Sequence, residues 1–257
     1  MQLLAKKLLD ERLAQLLACR RKLFLTPGLA LIWVGEDTQT DVFIRAKQAM
    51  AKKLDCQFFL HHFHSASQQQ LESVIDGLNN RQDIHGIVLQ LPLPKTVDTT
   101  ELISRVKLEK DIDNLSGNSP YGSPTPSSIM TLLSYHNIDI KNLKTIILGA
   151  GKLVGRPLAN VFRGNGWEFD QIERGTAKQV NFIRDHDLLI AATGVRDLVT
   201  PAMVHKDMVV VDGSGLDVDV KQIEPLVKKI TPKKGAIGPL TVSFLFENLL
   251  TASKQRN

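Results

Sequence analysis

The sequence predicts an α/β protein with parallel strands, divided in two near its middle. Three observations lead there. Apolar strand-like runs alternate with helix-patterned runs along almost the whole chain, the signature of parallel strands with crossover helices. A Pro-, Gly- and Ser-rich stretch at 116–128, SGNSPYGSPTPSS, interrupts that alternation near the middle. The alternation then restarts with KTIILGAGKLVG at 144–155, which reads as strand, glycine turn and helix start. The length, 257 residues, suits one large domain or two modest ones.

From the amino end, MQLLAKKLLDERLAQLLACRRKL fits an amphipathic helix. Its interspersed charges exclude a secretory signal, and Asp10 and Glu11 argue against a mitochondrial address. LALIWVG (29–35), CQFFLHHF (56–63) and GIVLQLPLP (86–94) read as strands, with a helix at SQQQLESVIDGLNN (67–80). Between the first two strands lies TDVFIRAKQAM, a helix with an anomaly. At about 100° per residue Phe43, Met50 and Leu54 share an apolar stripe, and Lys47 falls on it too. Either the lysine lays its methylenes on the core and lifts its charge into water, or it stands at the floor of a cleft where its pKa is tuned.

Gln90 ends an apolar strand as an uncharged amide, a satisfied core glutamine or a group facing a site. Asp111 and Asp113, in EKDIDNLSGN, follow a charged helix and by themselves read as solvated turn carboxylates. In the second half GAGKLVG follows a strand and opens a helix, so its amides can cradle a phosphate. Its spacing is G-x-G-x-x-x-G rather than the usual dinucleotide fingerprint, and a plain tight turn explains the glycines equally well. FDQIERGT (169–176) ends the next strand, where a Rossmann fold reads the adenosine ribose. There Glu173 can accept from a hydroxyl and Arg174 can bind a 2′-phosphate. DLLIAATG and MVVVDGSG are two further buried-type strands, ITPKKGAIGPLT (230–241) is a Gly/Pro loop, and 238–253 is a helix with Pro239 near its start.

Composition narrows the function classes. Hydrophobic residues make up 43% and charged residues 23%, ordinary for a soluble globular chain, and no apolar run is long enough to span a bilayer. Cys19 and Cys56 do not make a disulfide framework or a metal site, which suggests the cytoplasm, and no metal is expected. The net charge of +5 allows an anionic partner. A small polyanion suits this charge equally well, and the cations are scattered without the aromatic stripe of a single-strand binder, so nucleic acid is not the expected partner.

These fragments, in this order, resemble the methylenetetrahydrofolate dehydrogenase/cyclohydrolase family from about residue 29 to 250. GIVLQLPLP is similar to the family's G-I-L-V-Q-L-P-L-P, KDIDN to K-D-V-D-G, and TP at 125–126 to C-T-P. GAGKLVGRP stands where the family has G-[RA]-S-x-I-V-G-x-P, and ITPKKGAIGPLT where it has I-T-P-V-P-G-G-V-G-P-M-T. The S-x-x-Y-x-x-x-K helix corresponds to Thr40, Phe43 and Lys47.

The resemblance implies that Lys47 is the catalytic lysine, Gln90 the amide that orients it, and Asp113 the carboxylate that grips the pterin. Phe43, Gly238 and Pro239 would complete the folate site. Gly149, Ala150, Gly151, Arg174 and Gly215 would bind the dinucleotide, with NADP favoured through Arg174 and NAD the alternative through Glu173. The implied fold is α/β with two domains flanking a cleft: an N-terminal α/β catalytic domain at 1–120, completed by the helix at 239–257, and a Rossmann-type nucleotide-binding domain at 121–238. The implied protein is a cytoplasmic homodimer acting on tetrahydrofolate one-carbon derivatives. It would oxidise 5,10-methylenetetrahydrofolate to the methenyl form and hydrolyse that to 10-formyltetrahydrofolate. Departures stand out: Phe43 for tyrosine, Asn114 for glycine, Gly151 for serine, PKKGA for PVPGG, and a shorter loop after Asp212. They leave a catalytically weakened or silent relative as the alternative.

Overall fold

A computed structural model describes residues 1–173 and 179–254. The chain divides into two compact units, Glu11–Pro124 with Val242–Asn257, and Met1–Asp10 with Thr125–Thr241.

The first unit is built on a three-stranded parallel sheet of β1 (Gly28–Val34), β2 (Gln57–Phe63) and β3 (Gly86–Leu89), in the order β2-β1-β3. Central β1 is buried along its whole length, and successive side chains feed opposite faces. Leu29, Leu31 and Trp33 pack with Ile44, Leu54, Phe246 and Leu249. Ala30, Ile32 and Val34 pack with Leu71, Ile75, Leu78 and Leu102. Each fully buried Leu or Ile contributes about 1.5–3 kcal/mol, which makes β1 the anchor of this unit.

Three of the helices around this sheet start on side-chain caps. α1 covers Lys6–Arg20 and α2 covers Thr38–Lys53. α3 (Gln68–Asn80) opens on a capping box between Ser67 and Gln70, and α4 (Thr99–Arg105) opens on Asp98. Arg12 sits among the leucines of α1, and its guanidinium bonds Ser243 (2.8 Å) and Glu247 (3.0 Å) while lying over the Phe244 ring. The strand expected at 86–94 stops at Leu89. Pro92 and Pro94 have no N–H for a ladder, so QLPLP leaves the sheet.

The second unit carries a five-stranded parallel sheet of β4 (Thr145–Leu148), β5 (Phe169–Ile172), β6 (Leu188–Ala191), β7 (Val209–Asp212) and β8 (Lys229–Ile230). The order is β5-β4-β6-β7-β8. From β4 the chain moves outward to β5, then crosses back to place β6 on the other side of β4. That reversal creates a topological switch point, where open α/β sheets bind ligands. α5 (Pro124–Tyr135), α6 (Gly155–Gly164), α7 (Val180–Arg184) and α8 (Val220–Ile223) are the helices near these strands in sequence. α9 (Ile237–Lys254) begins in this unit, and its residues from Val242 onward belong to the first.

Three assignments differ from the sequence expectation: residues 121–124 belong to the first unit, 239–241 to the second, and residues 1–10, placed in the first domain, also to the second. Leu3 N–H donates to Ile230 O (2.7 Å), and Ile230 N–H donates to Met1 O (3.1 Å). Leu3, Ala5 and Leu8 join a core with Ile129, Leu158 and Phe162. The open edge of β8 and an apolar surface claim a segment that periodicity alone gives to α1.

Candidate active site

α2 places the anomalous lysine. The helix begins at Asp37, whose carboxylate accepts from the Thr40 N–H and hydroxyl, both at 2.8 Å. Thr40, which stands where the family has serine, thus commits its hydroxyl to the cap. The buried face runs through Thr40, Ile44, Lys47, Ala51 and Leu54. Phe43 and Met50, expected on that stripe, lie at its margin, and Phe43 is 45% exposed. An exposed ring one turn before Lys47 is a free stacking surface.

Lys47 does not snorkel. It is 9% exposed, and its Nζ donates to Gln90 Oε1 at 2.7 Å. Gln90 lies one residue past β3, with its backbone N–H on Ile32 O (2.9 Å) and its Nε2 on Leu91 O (3.1 Å). The Leu91 carbonyl can only accept, so the amide nitrogen faces it and the oxygen faces Lys47. Burial holds the Lys47 pKa below the ordinary lysine value, while the Asp113 carboxylate pulls it back up. Asp113 shifts the other way: burial raises its pKa, Lys47 lowers it, and Asp111 adds to the rise. The structure therefore brings Lys47, Gln90 and Asp113 into one cluster within the first unit.

The loop carrying Asp113 is braced by its neighbours. Lys110, fully buried, gives all three ammonium protons to the carbonyls of Leu78, Asn79 and Arg81, each at 2.8 Å. These carbonyls end α3, where a cation is favoured. Asp111, which by itself reads as a solvated turn carboxylate, is 2% exposed and accepts from Leu115 N–H and Ser116 N–H, both at 3.0 Å. Asn114 has φ +50, a conformation that asparagine tolerates better than most side chains, and its Oδ1 accepts from Ser119 N–H at 3.2 Å. The family's glycine is thus replaced by a residue that keeps the backbone and adds a bond.

The glycine turn lies at the carboxyl end of β4, beside the switch point. Gly149 has φ +107, and a Cβ there would stand 2.5 Å from Ala192 O. A Cβ on Gly155 would stand 2.1 Å from Gly149 O. These two glycines let backbone pack on backbone. Gly151 is different: a Cβ there would meet nothing within 4 Å. The turn thus leaves open space at Gly151, ahead of the ten-residue helix α6, and fits a dinucleotide pyrophosphate. Ala150 is half-buried between the two glycines. Gln171 on β5 fastens the turn, its Nε2 donating to Gly149 O (2.9 Å) and Gly155 O (3.2 Å).

The shorter loop after β7 closes on itself. Asp212 accepts from the N–H groups of Ser214 (3.1 Å), Gly215 (2.7 Å) and Val218 (3.1 Å), and burial with nearby Asp217 raises its pKa. Asp217, fully buried, ties this loop to the end of β6 by accepting from Thr193 N–H (2.8 Å), Thr193 hydroxyl (2.5 Å) and Val195 N–H (2.8 Å). Gly215 spends its N–H on Asp212, and a Cβ there would meet nothing within 4 Å. Gly238 and Pro239 occupy the first turn of α9, in the second unit. Glu173 is exposed, and Arg174 lies outside the described residues. Lys110, Gln171, Asp217 and the α9 residue Asn248 carry bracing roles that sequence reasoning missed. None carried a local signal, since each role depends on distant backbone partners.

A switch-point glycine turn on a parallel sheet defines a nucleotide-binding α/β protein, and the other unit carries the Lys47, Gln90 and Asp113 cluster. The tetrahydrofolate dehydrogenase/cyclohydrolase catalytic domain model matches residues 2–113, and the NAD(P)-binding domain model of the same family matches residues 123–257. The chain belongs to that family. The bifunctional protein FolD of Methanosarcina barkeri is 32% identical over 267 aligned positions, covering 97% of this chain and 93% of the relative. That of Wolinella succinogenes is 32% identical, covering 90% and 88%. Among solved structures, the bifunctional methylenetetrahydrofolate dehydrogenase/cyclohydrolase FolD of Campylobacter jejuni superposes with TM-score 0.88 at 26% identity, covering 100% of this chain and 99% of that one.

Proposed function

We propose that this protein oxidises 5,10-methylenetetrahydrofolate to the 5,10-methenyl form with NADP and hydrolyses that product to 10-formyltetrahydrofolate. The observation that carries the reading is the buried Lys47–Gln90 bond of 2.7 Å beside Asp113. The Asp113 carboxylate accepts from the amino and ring N–H groups of the pterin, and the exposed Phe43 ring stacks on it. A nicotinamide dinucleotide bound at the glycine turn supplies the hydride acceptor. The open backbone at Gly151 receives its pyrophosphate, with Gly149, Ala150 and Gly215 lining the same end of the sheet. Arg174, outside the described residues, would pair with the 2′-phosphate and so favour NADP over NAD.

Hydrolysis depends on this chain's own proton handling. Water adds to the methenyl carbon while the Lys47 amine takes a proton from it. The bond from that carbon to N5 then breaks, one proton is delivered to N5 and one is released. Burial favours the neutral amine this step needs, and the Gln90 carbonyl keeps it oriented. The Lys47–Gln90 bond, with the Asp113 charge acting on Lys47, supports an active enzyme over a silent relative. We also read the protein as a cytoplasmic homodimer, as the resemblance implies; sedimentation at micromolar concentration checks the assembly. Among the described residues no helix is long and apolar enough to cross a membrane.

The test is an anaerobic assay with methylenetetrahydrofolate that follows reduced cofactor and methenyl absorbance separately. Wild-type protein should show both steps, and Lys47→Met should lose about 100-fold or more in hydrolysis while keeping folate affinity. Absence of both steps in the wild type would overturn the proposal, and full hydrolysis by the mutant would remove Lys47 from it.

A further inference from the structure

Asp113 can select its ligand only if its backbone is fixed, because a carboxylate that wanders loses the geometry of paired acceptance. The two peptide planes that flank its Cα are held separately. The plane after it is held by Asn114 N–H, which donates to Asp111 O at 3.1 Å. The plane before it contains the Ile112 carbonyl, and that carbonyl accepts from Asn248 Nδ2 at 2.8 Å. Carbonyl and following N–H belong to one rigid unit, so the bond to Ile112 O fixes the orientation at which the chain enters Asp113. The other proton of the same nitrogen goes to Gly122 O, also at 2.8 Å.

Asn248 lies on α9, more than a hundred residues downstream, so the restraint is tertiary. Ile112 cannot yield to one side, because its fully buried side chain occupies the space over Gly86, where a Cβ would stand 2.5 Å from Ile112 Cδ1. Core packing therefore holds Ile112 from its side chain and Asn248 holds it from its carbonyl. Asn248 makes both bonds with backbone and none with Asp113, so its influence runs through the peptide plane.

We infer that Asn248 is a positioning residue for the folate site, setting the aim of the Asp113 carboxylate through the Ile112 carbonyl. The inference rests on the reading of Asp113 as the pterin-binding carboxylate. It assigns a role in substrate affinity to a helix residue whose side-chain bonds go to backbone carbonyls.

The test is a double-mutant cycle with Asn248→Ala and Asp113→Ala, assayed with methylenetetrahydrofolate. Asn248→Ala should raise KM for the folate by about 5-fold to the order of 100-fold, with kcat changed far less and KM for the dinucleotide unchanged. In the Asp113→Ala background the same change should add less than about twofold, since coupled residues are not additive. Thr251→Val, which removes a hydroxyl bond to Glu247 O on the same helix, should leave folate KM at the wild-type value. Should Asn248→Ala not accumulate as folded protein, Asn248→Ser gives the same comparison with less volume lost. An equal KM rise in both backgrounds, or none in the wild type while Asp113→Ala raises it, overturns the inference. No effect of Asp113→Ala itself overturns the underlying reading instead.

Discussion

The Asp113 loop and the glycine turn are both held by a carboxamide that gives two bonds to backbone carbonyls, yet they present opposite things. Asn248 fastens Ile112 and Gly122 so that one side chain, Asp113, is aimed. Gln171 fastens Gly149 and Gly155 so that bare backbone is offered with no side chain in the way. The first site resides in functional groups, and its loop holds asparagine at the positive-φ position 114. The second resides in absence, so its tolerance depends on what a Cβ would meet.

The largest effect separates two glycines of the same turn. Gly155→Ala drives a methyl group to 2.1 Å from Gly149 O, and neither backbone can retreat while Gln171 holds both. A stability loss of about 3 kcal/mol or more is expected, measured by denaturant melting. Gly151→Ala meets nothing within 4 Å, so stability should stay near wild type while KM for the dinucleotide rises. Equal stability losses in the two variants would break the distinction.

Arg174→Ala should weaken NADP several-fold to about a hundredfold, the range for losing a charged hydrogen bond, and leave NAD nearly unchanged. Binding measured by fluorescence with each cofactor decides it. Tighter NAD than NADP binding in the wild type would show that Glu173 sets the preference.

The pH dependence of folate affinity sharpens the side-chain half of the comparison. Burial raises the Asp113 pKa, so its accepting form is lost earlier on acidification than for an ordinary carboxyl. KM for methylenetetrahydrofolate should therefore climb as pH falls through that raised value, approaching about tenfold per pH unit. Asp113→Asn should flatten the profile. The stability sign follows the same shift. A carboxyl with a raised folded-state pKa costs stability above its unfolded value, and that cost is relieved as pH falls.

The smallest effect tests the two carboxamides against each other. Gln171→Leu should raise dinucleotide KM by about 3- to 10-fold and leave methenyl hydrolysis unchanged. A change in hydrolysis would mean that Gln171 serves more than the turn.

By itself the sequence determined what is local. Period-2 and apolar runs located the long strands, because a strand between two covered faces must be apolar throughout, as β1 is. The glycine turn was legible because only glycine permits its close approaches. Motif order identified the family, and Lys47 was visible as a charge on an apolar stripe. Tertiary structure decided what that charge does, since Gln90 reaches it from 43 residues away and no helical wheel contains that bond. It also decided that Asp111 builds a loop, that β3 ends at Leu89, and that Met1–Asp10 join the second unit through β8. Gln171 and Asn248 were invisible for the same reason: a carboxamide looks alike in any sequence, and its role depends on which distant carbonyls the fold brings within 3 Å or so of it.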